Sequence, residues 1–129
     1  MILPAISIKQ PWAYAILHFG KDVENRTWDL PPKFLGKTVF IHAGKRFDDD
    51  GYRHLVLQGY SLPPFSAFNT GGIVGMLTFS SHRTPGPRSP WAEPGLHWWP
   101  IASAMWLKYF ACKGSLGFFN VDYPYEVPS

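Results

Sequence analysis

Two short segments near the start of the chain contain polar residues that can bind an anion or transfer a proton. The first, residues 7–13, reads SIKQPWA and joins a predicted strand to a predicted helix. Lys9 offers a point charge at this junction, where a lysine has no packing role, and Trp12 offers an indole plane on which a base can stack. Trp12 is also spaced from Ile16 and Phe19 as in the buried stripe of a helix, so a core position is the alternative for its ring.

The second segment, residues 20–28, reads GKDVENRTW and leads from that helix into the next strand. Glu24 and Arg26 are two positions apart, so a strand projects them from one face while Asn25 points to the other. A carboxylate beside a guanidinium can accept a hydrogen bond from a base while the guanidinium binds a phosphate. The structural alternative is an ion pair that serves only to close a β-barrel.

The other residues with catalytic or metal-binding chemistry are scattered along the chain. No two of the five histidines have the spacing of a metal-binding pair such as HExxH, and we predict neither a metal site nor a cofactor. Cys112, the single cysteine, lies in an apolar stretch that favours an inert buried thiol. The run Asp48-Asp49-Asp50 suits a helix start, where carboxylates accept backbone N–H groups.

Hydrophobic periodicity predicts two short helices and a larger number of strands. The first helix is predicted over residues 11–19, and a second helix follows the acidic run and ends before Gly59. Strands are predicted at residues 3–8, 23–28, 37–42, 72–79, 104–110 and 116–121. The strand at 72–79 has the strongest pattern and is predicted to be central. The last two strands are predicted to join at Lys113-Gly114, as in a hairpin.

Two proline-rich stretches are predicted to lack regular structure. Residues 80–94 hold four prolines and are expected to form an irregular, exposed and mobile loop. We interpret Arg83 and Arg88 in this loop as surface charge. The tail, residues 123–129, is predicted to form neither helix nor strand.

The composition indicates one domain, residues 1–129, with a substantial core. Apolar residues make up 46% of the chain, aromatic residues 17% and charged residues 16%. Strands outnumber the helices and do not alternate with them, which favours a mainly β fold with two or more short helices, a partly closed antiparallel barrel. The net charge of +3 permits polyanionic partners. The single cysteine and the absence of a recognisable targeting segment or long apolar stretch predict a cytoplasmic protein with no membrane partner.

The polar segments, taken with three further motifs, closely resemble the ASCH domain family. The further motifs are IHAGK at residues 41–45, GIVG at 72–75 and KGSLGFF at 113–119, the last similar to the closing strand of that family. The resemblance runs from about Ile6 to Val121 and implies a PUA-like fold.

The resemblance also implies a cleft beside the first helix that holds RNA or nucleotides. Carried over by motif position, the residues implied to line this cleft are Lys9, Gln10, Trp12, Glu24, Asn25, Arg26, His42 and Lys45.

Three functions follow from these observations as alternatives. The leading hypothesis is a module that binds RNA or a nucleotide. The second is a small amidohydrolase that acts on an N4-acylated cytidine, as some ASCH relatives are similar to such enzymes. Lys21 matches the lysine of that type, whereas Glu24 stands where those enzymes have a threonine, so the candidate catalytic residues are Lys9, Lys21 and Glu24, with Glu24 as general base. The third is a metal-dependent ribonuclease. The sequence does not indicate an oligomeric state.

Overall fold

Six strands form one strongly curved sheet, a half-barrel that two short helices flank. The computed structural model describes residues 1–83 and 89–128. The elements are β1 (Ile2–Gln10), α1 (Trp12–His18), β2 (Val23–Arg26), β3 (Thr38–Phe47), α2 (Asp49–Leu57), β4 (Gly72–Phe79), β5 (His97–Ala111) and β6 (Phe118–Asp122). The predicted mainly β fold with two short helices, a partly closed barrel, is confirmed.

The strand order is β2-β5-β4-β3-β1-β6, with β4 in the interior as predicted. One pairing differs from the expected antiparallel barrel, because β1 and β3 run parallel with Ile6 opposite Ile41. Parallel neighbours need a crossover connection, and α1 and β2 lie in the chain between these two strands. The crossover places α1 beside the ends of β1 and β3, where the polar segments lie.

The end of the chain also differs from the prediction. The strand predicted at 104–110 begins earlier, at His97, because residues 97–100 pair with β2 while the later part of β5 pairs with β4. The hairpin predicted at Lys113-Gly114 is wrong, since β6 pairs with β1 at the opposite end of the sheet. Phe118 of β6 stacks on Trp99 of β5, with ring centroids 5.7 Å apart. This contact joins β6 to β5 across the open side of the half-barrel.

Apolar residues fill both faces of the sheet. The inner face holds Ile6 and Ile8 from β1 with Leu77, Phe79 and Trp99, and the buried side of α1 packs on it. The outer face holds a second cluster formed by Ala5, Phe40, Met76, Val121 and Tyr123, among others. Because one side of α1 packs on the inner face, the orientation of its first turn relative to the sheet is fixed.

The proline-rich stretches are irregular where the structure describes them. Residues 80–83 and 89–94 contain neither helix nor strand, and the same holds for residues 123–128 of the tail. Arg83, interpreted as surface charge, pairs with the Asp29 carboxylate at 2.7 Å. Arg88 lies outside the described residues. None of the helices in the described ranges is long and apolar enough to cross a membrane.

Candidate functional site

A cavity of about 820 Å³ opens beside the first turn of α1. It lies between the end of β1, the strand β2, the end of β3 and the start of α2, and residues 90–94 form its remaining wall. This volume falls within the range of about 300–1,000 Å³ that is usual for small-molecule sites. The polar segments that are separate in the sequence therefore meet at one concave surface.

A cluster of three charged side chains, two buried and one half-buried, forms one side of this cavity. We call it the floor and define it as Lys21, Glu24 and Arg26. Glu24 Oε1 lies 3.3 Å from Lys21 Nζ, and Glu24 Oε2 lies 2.9 Å from Arg26 Nε. The side chains of Lys21 and Glu24 are only 4% and 9% exposed. A lysine is stable at such a depth because a carboxylate and the Val23 carbonyl accept its N–H bonds. Two cations share one carboxylate, so the floor has a net positive charge.

The guanidinium of Arg26 is held in a fixed orientation. Besides Glu24, its Nη2 donates to the Ser7 carbonyl of β1 at 2.6 Å, and its central carbon lies 5.4 Å from the centroid of the Trp99 ring. These contacts confirm the predicted ion pair on one face of β2. A guanidinium has five N–H donors, and the donors that these bonds leave over are available to a ligand.

Trp12 forms an adjacent wall and is half-buried, so it serves both the core and the cavity. Its Nε1 donates to Asp48 Oδ2 at 2.8 Å, and the ammonium of Lys21 lies 5.7 Å from its ring centroid. Gly51 of α2 packs directly on the indole, where an added Cβ would lie 2.7 Å from Cζ2. The ring, which α1 carries, is thus clamped by the first turn of α2.

Asp48 begins α2 and at the same time orients the indole. Its Oδ1 accepts the backbone N–H of Gly51 at 2.9 Å, as the acidic run predicted for a helix start. Burial acts to raise the pKa of Asp48, but hydrogen bonds from Trp12, Gly51 and Asp50 and the charge of Lys9 outweigh burial and lower that pKa. The carboxylate is therefore ionised at neutral pH.

Exposed cations surround the mouth of the cavity. Lys9, Lys45 and Arg46 all line it, and Asp50 and Glu93 provide carboxylates of opposite sign. Arg46 was missed in the sequence analysis, which ended the strand at His42. Residues 43–47 read AGKRF and do not alternate apolar with polar residues, so no periodic signal in the sequence indicates that the strand continues to Phe47 and brings a further cation to this edge.

Residues 89–94, which we call the strap, form the wall beyond β2. The side-chain amide of Asn25 donates to the Trp91 carbonyl at 2.9 Å and accepts from the Glu93 N–H at 2.9 Å. Trp91 lines the cavity and was also missed, because an aromatic residue in a proline-rich loop carries no pattern that indicates where the loop folds back.

Two predicted cleft residues have their side chains elsewhere. Gln10 is 3% exposed, and its amide donates to the Asn69 carbonyl and accepts the N–H of Tyr14. His42 is 2% exposed and bridges Ser7 Oγ at 2.9 Å and the Cys112 carbonyl at 2.8 Å. Neither residue lines the cavity.

The candidates that the structure brings together are the others. They are Lys9, Trp12, Lys21, Glu24, Asn25, Arg26 and Lys45.

The described ranges 1–83 and 89–128 contain no group of three or more His, Cys, Asp or Glu side chains that could hold a metal ion. Cys112 is half-buried and not fully buried as predicted. Partial burial raises the pKa of its thiol, which favours the protonated form.

Comparison of the chain with protein-family models found no match, and comparison with curated proteins found none either. The resemblance to the ASCH family therefore stays a prediction from the residues quoted for it.

Proposed function

We propose that the cavity binds a nucleotide, either free or as one unit of a single-stranded RNA. The observation that carries the proposal is the meeting, in one cavity, of the net-positive floor and the Trp12 indole. A phosphate needs a cation with free donors, and a base needs a planar surface. Both lie within a cavity of suitable volume, which no single segment of the chain could form.

Each part of the cavity suits a different part of a nucleotide. Arg26 presents its remaining donors from a fixed guanidinium, which suits a phosphate oxygen. Lys9 and Lys45 at the mouth are exposed and add attraction toward neighbouring phosphates. The Trp12 ring supplies stacking, a contact worth about 1–3 kcal/mol per base.

Fluorescence titration with a short single-stranded RNA at two salt concentrations tests this proposal. We expect salt-sensitive binding, and we expect Lys9→Ala and Lys45→Ala each to weaken it, because both lysines are exposed and their loss leaves the fold intact. Each phosphate contact that is removed should lower the slope of log K against log salt by about 0.7. Lys113→Ala is the matched control, since it removes an exposed lysine outside the cavity.

Binding that is absent at micromolar RNA, or equally strong in all three lysine variants, would refute the proposal. A free nucleotide in the same titration separates a mononucleotide site from an RNA site.

The contact between Lys21 and Glu24 also supports the second candidate, a small amidohydrolase, because a lysine beside a carboxylate in a cavity is a pair that can transfer a proton. Both groups have other partners, since Glu24 also binds Arg26 and Lys21 also binds the Val23 carbonyl. We therefore rank binding first. Release of cytidine from an N4-acylated cytidine, added as a ligand in the same assays, would reverse that order.

A further inference from the structure

The strap has no helix or strand of its own, yet it forms one wall of the cavity. Residues 90–94 line the cavity, and the backbone of this segment makes no ladder with the sheet in the described part of the chain. The position of the wall consequently depends on side chains that reach it from outside.

Asn25 makes the most complete of these contacts. Its amide uses both its donor and its acceptor on the strap backbone, at the Trp91 carbonyl and the Glu93 N–H, each at 2.9 Å. This pair of bonds has the form of a β-ladder in which a side chain replaces a strand. Successive side chains alternate along β2, so Glu24 and Arg26 point to one face and belong to the floor, while Asn25 points to the other and binds the strap.

Further contacts hold the ends of the strap. The hydroxyl of Ser89 donates to the Asp22 carboxylate and accepts the N–H of Trp91. The indole N–H of Trp98 donates to the Glu93 carbonyl at 2.7 Å. These bonds restrict the position of the two ends of the strap. Asn25 binds the centre of the strap to β2, the strand that carries Glu24 and Arg26 of the floor.

We infer that Asn25 is a positioning residue, which sets ligand affinity by holding the strap against the cavity and does not itself contact the ligand. The inference rests on the proposed function, because affinity for RNA is its readout. Its amide already donates one N–H and accepts one N–H on the strap backbone, which leaves half of its hydrogen-bonding capacity and fixes its orientation toward the strap. The strap, with Trp91, then closes the side of the cavity that the sheet leaves open.

The test compares Asn25→Ala with Gln10→Ala. Gln10 is the matched control, because its amide also joins two backbone groups but lies outside the cavity lining. We expect Asn25→Ala to weaken RNA binding about tenfold, through faster dissociation, and Gln10→Ala to leave the affinity unchanged while lowering stability. The slope of log K against log salt should stay the same in Asn25→Ala, since no phosphate contact is lost.

Hydrogen exchange of the Glu93 amide provides a second readout that does not depend on affinity. This amide donates to Asn25, so its exchange should accelerate in Asn25→Ala and should slow in the unaltered protein when RNA fills the cavity.

The outcomes separate the two proposals. Unchanged affinity in Asn25→Ala with a faster-exchanging Glu93 amide overturns the positioning role alone, as does a loss of affinity with a salt slope changed by about 0.7. Absence of RNA binding by the unaltered protein overturns the proposed function itself.

Discussion

Replacement of Gly51 by alanine should destabilise the protein, although the same change in most helices does the opposite. Gly51 is in the first turn of α2, where alanine ordinarily gains about 0.5–1 kcal/mol over glycine. At this position the new Cβ would lie 2.7, 2.8 and 2.9 Å from three atoms of the Trp12 indole. Real Cβ atoms do not approach other atoms so closely, so the indole or the helix must move.

The size of the effect follows from what the displaced indole loses. Trp12 packs on the inner core cluster on one side and faces the cavity on the other, so the core blocks only one direction of retreat, and overpacking of this kind costs about 1–3 kcal/mol. Movement also strains or breaks the 2.8 Å bond from Trp12 to Asp48, a bond to a charged group worth about 1.5–3 kcal/mol. These two costs are alternatives, because an indole that moves away relieves the overpacking. Taking about 2 kcal/mol for either cost and subtracting the gain in helix propensity of about 0.5–1 kcal/mol, we expect a net loss of about 1–1.5 kcal/mol.

Urea denaturation measures this loss as a shift of the midpoint by roughly 1 M with an unchanged m-value. Gly44→Ala is the control, because nothing lies within 4 Å of an added Cβ there, and it should be neutral or slightly stabilising. In a Trp12→Leu background the Gly51→Ala change should lose most of its effect, which a double-mutant cycle reports as coupling. If Gly51→Ala proves as stable as the unaltered protein, the clamped indole described above is incorrect.

Two further predictions concern polar groups around the same strands. The folded-state pKa of Asp48 lies below its ordinary value of 3.8, so its carboxylate stabilises the fold above that pH and loses this contribution as the pH falls through the folded-state value. The stability advantage over Asp48→Asn in urea melts should accordingly shrink between neutral pH and about pH 2, and a constant difference would contradict it. Ser7→Ala should cost about 1–3 kcal/mol in the same melts, because it leaves the buried Nδ1 of His42 without its partner, whereas an unchanged midpoint would mean that water replaces the hydroxyl.

Local elements were largely predictable because their signals lie within a few residues. The predicted helix at 11–19 is found at Trp12–His18, and the predicted strand at 72–79 is found with the same limits. Pairing was less predictable, because alternation shows which side chains share a face and carries no information about which strand lies alongside. The parallel pair of β1 and β3 and the distant partner of β6 both depend on that missing information.

The candidate site divides in the same way. The alternation on β2 correctly indicated that Glu24 and Arg26 share a face, because that relation is local. Gln10 was placed in the cleft by motif position, but its amide instead joins the first turn of α1 to the loop before β4. A polar residue at the junction of a strand and a helix has the same appearance in the sequence whether it binds a ligand or satisfies backbone groups.

The polar segments therefore have two tasks that only the structure separates. One set of side chains, represented by Gln10 and His42, is buried and satisfies backbone groups of α1, of the loop before β4 and of the segment after β5. The other set, represented by Arg26 and Lys9, lines the cavity and has N–H donors that are available to a ligand. Asn25 lies between the two sets, since it satisfies backbone groups and thereby shapes the cavity. The first set holds in place the elements that carry the second. Substitutions in the first set should therefore change ligand affinity only by lowering the stability of the fold, whereas a substitution of Asn25 should change ligand affinity by releasing the strap.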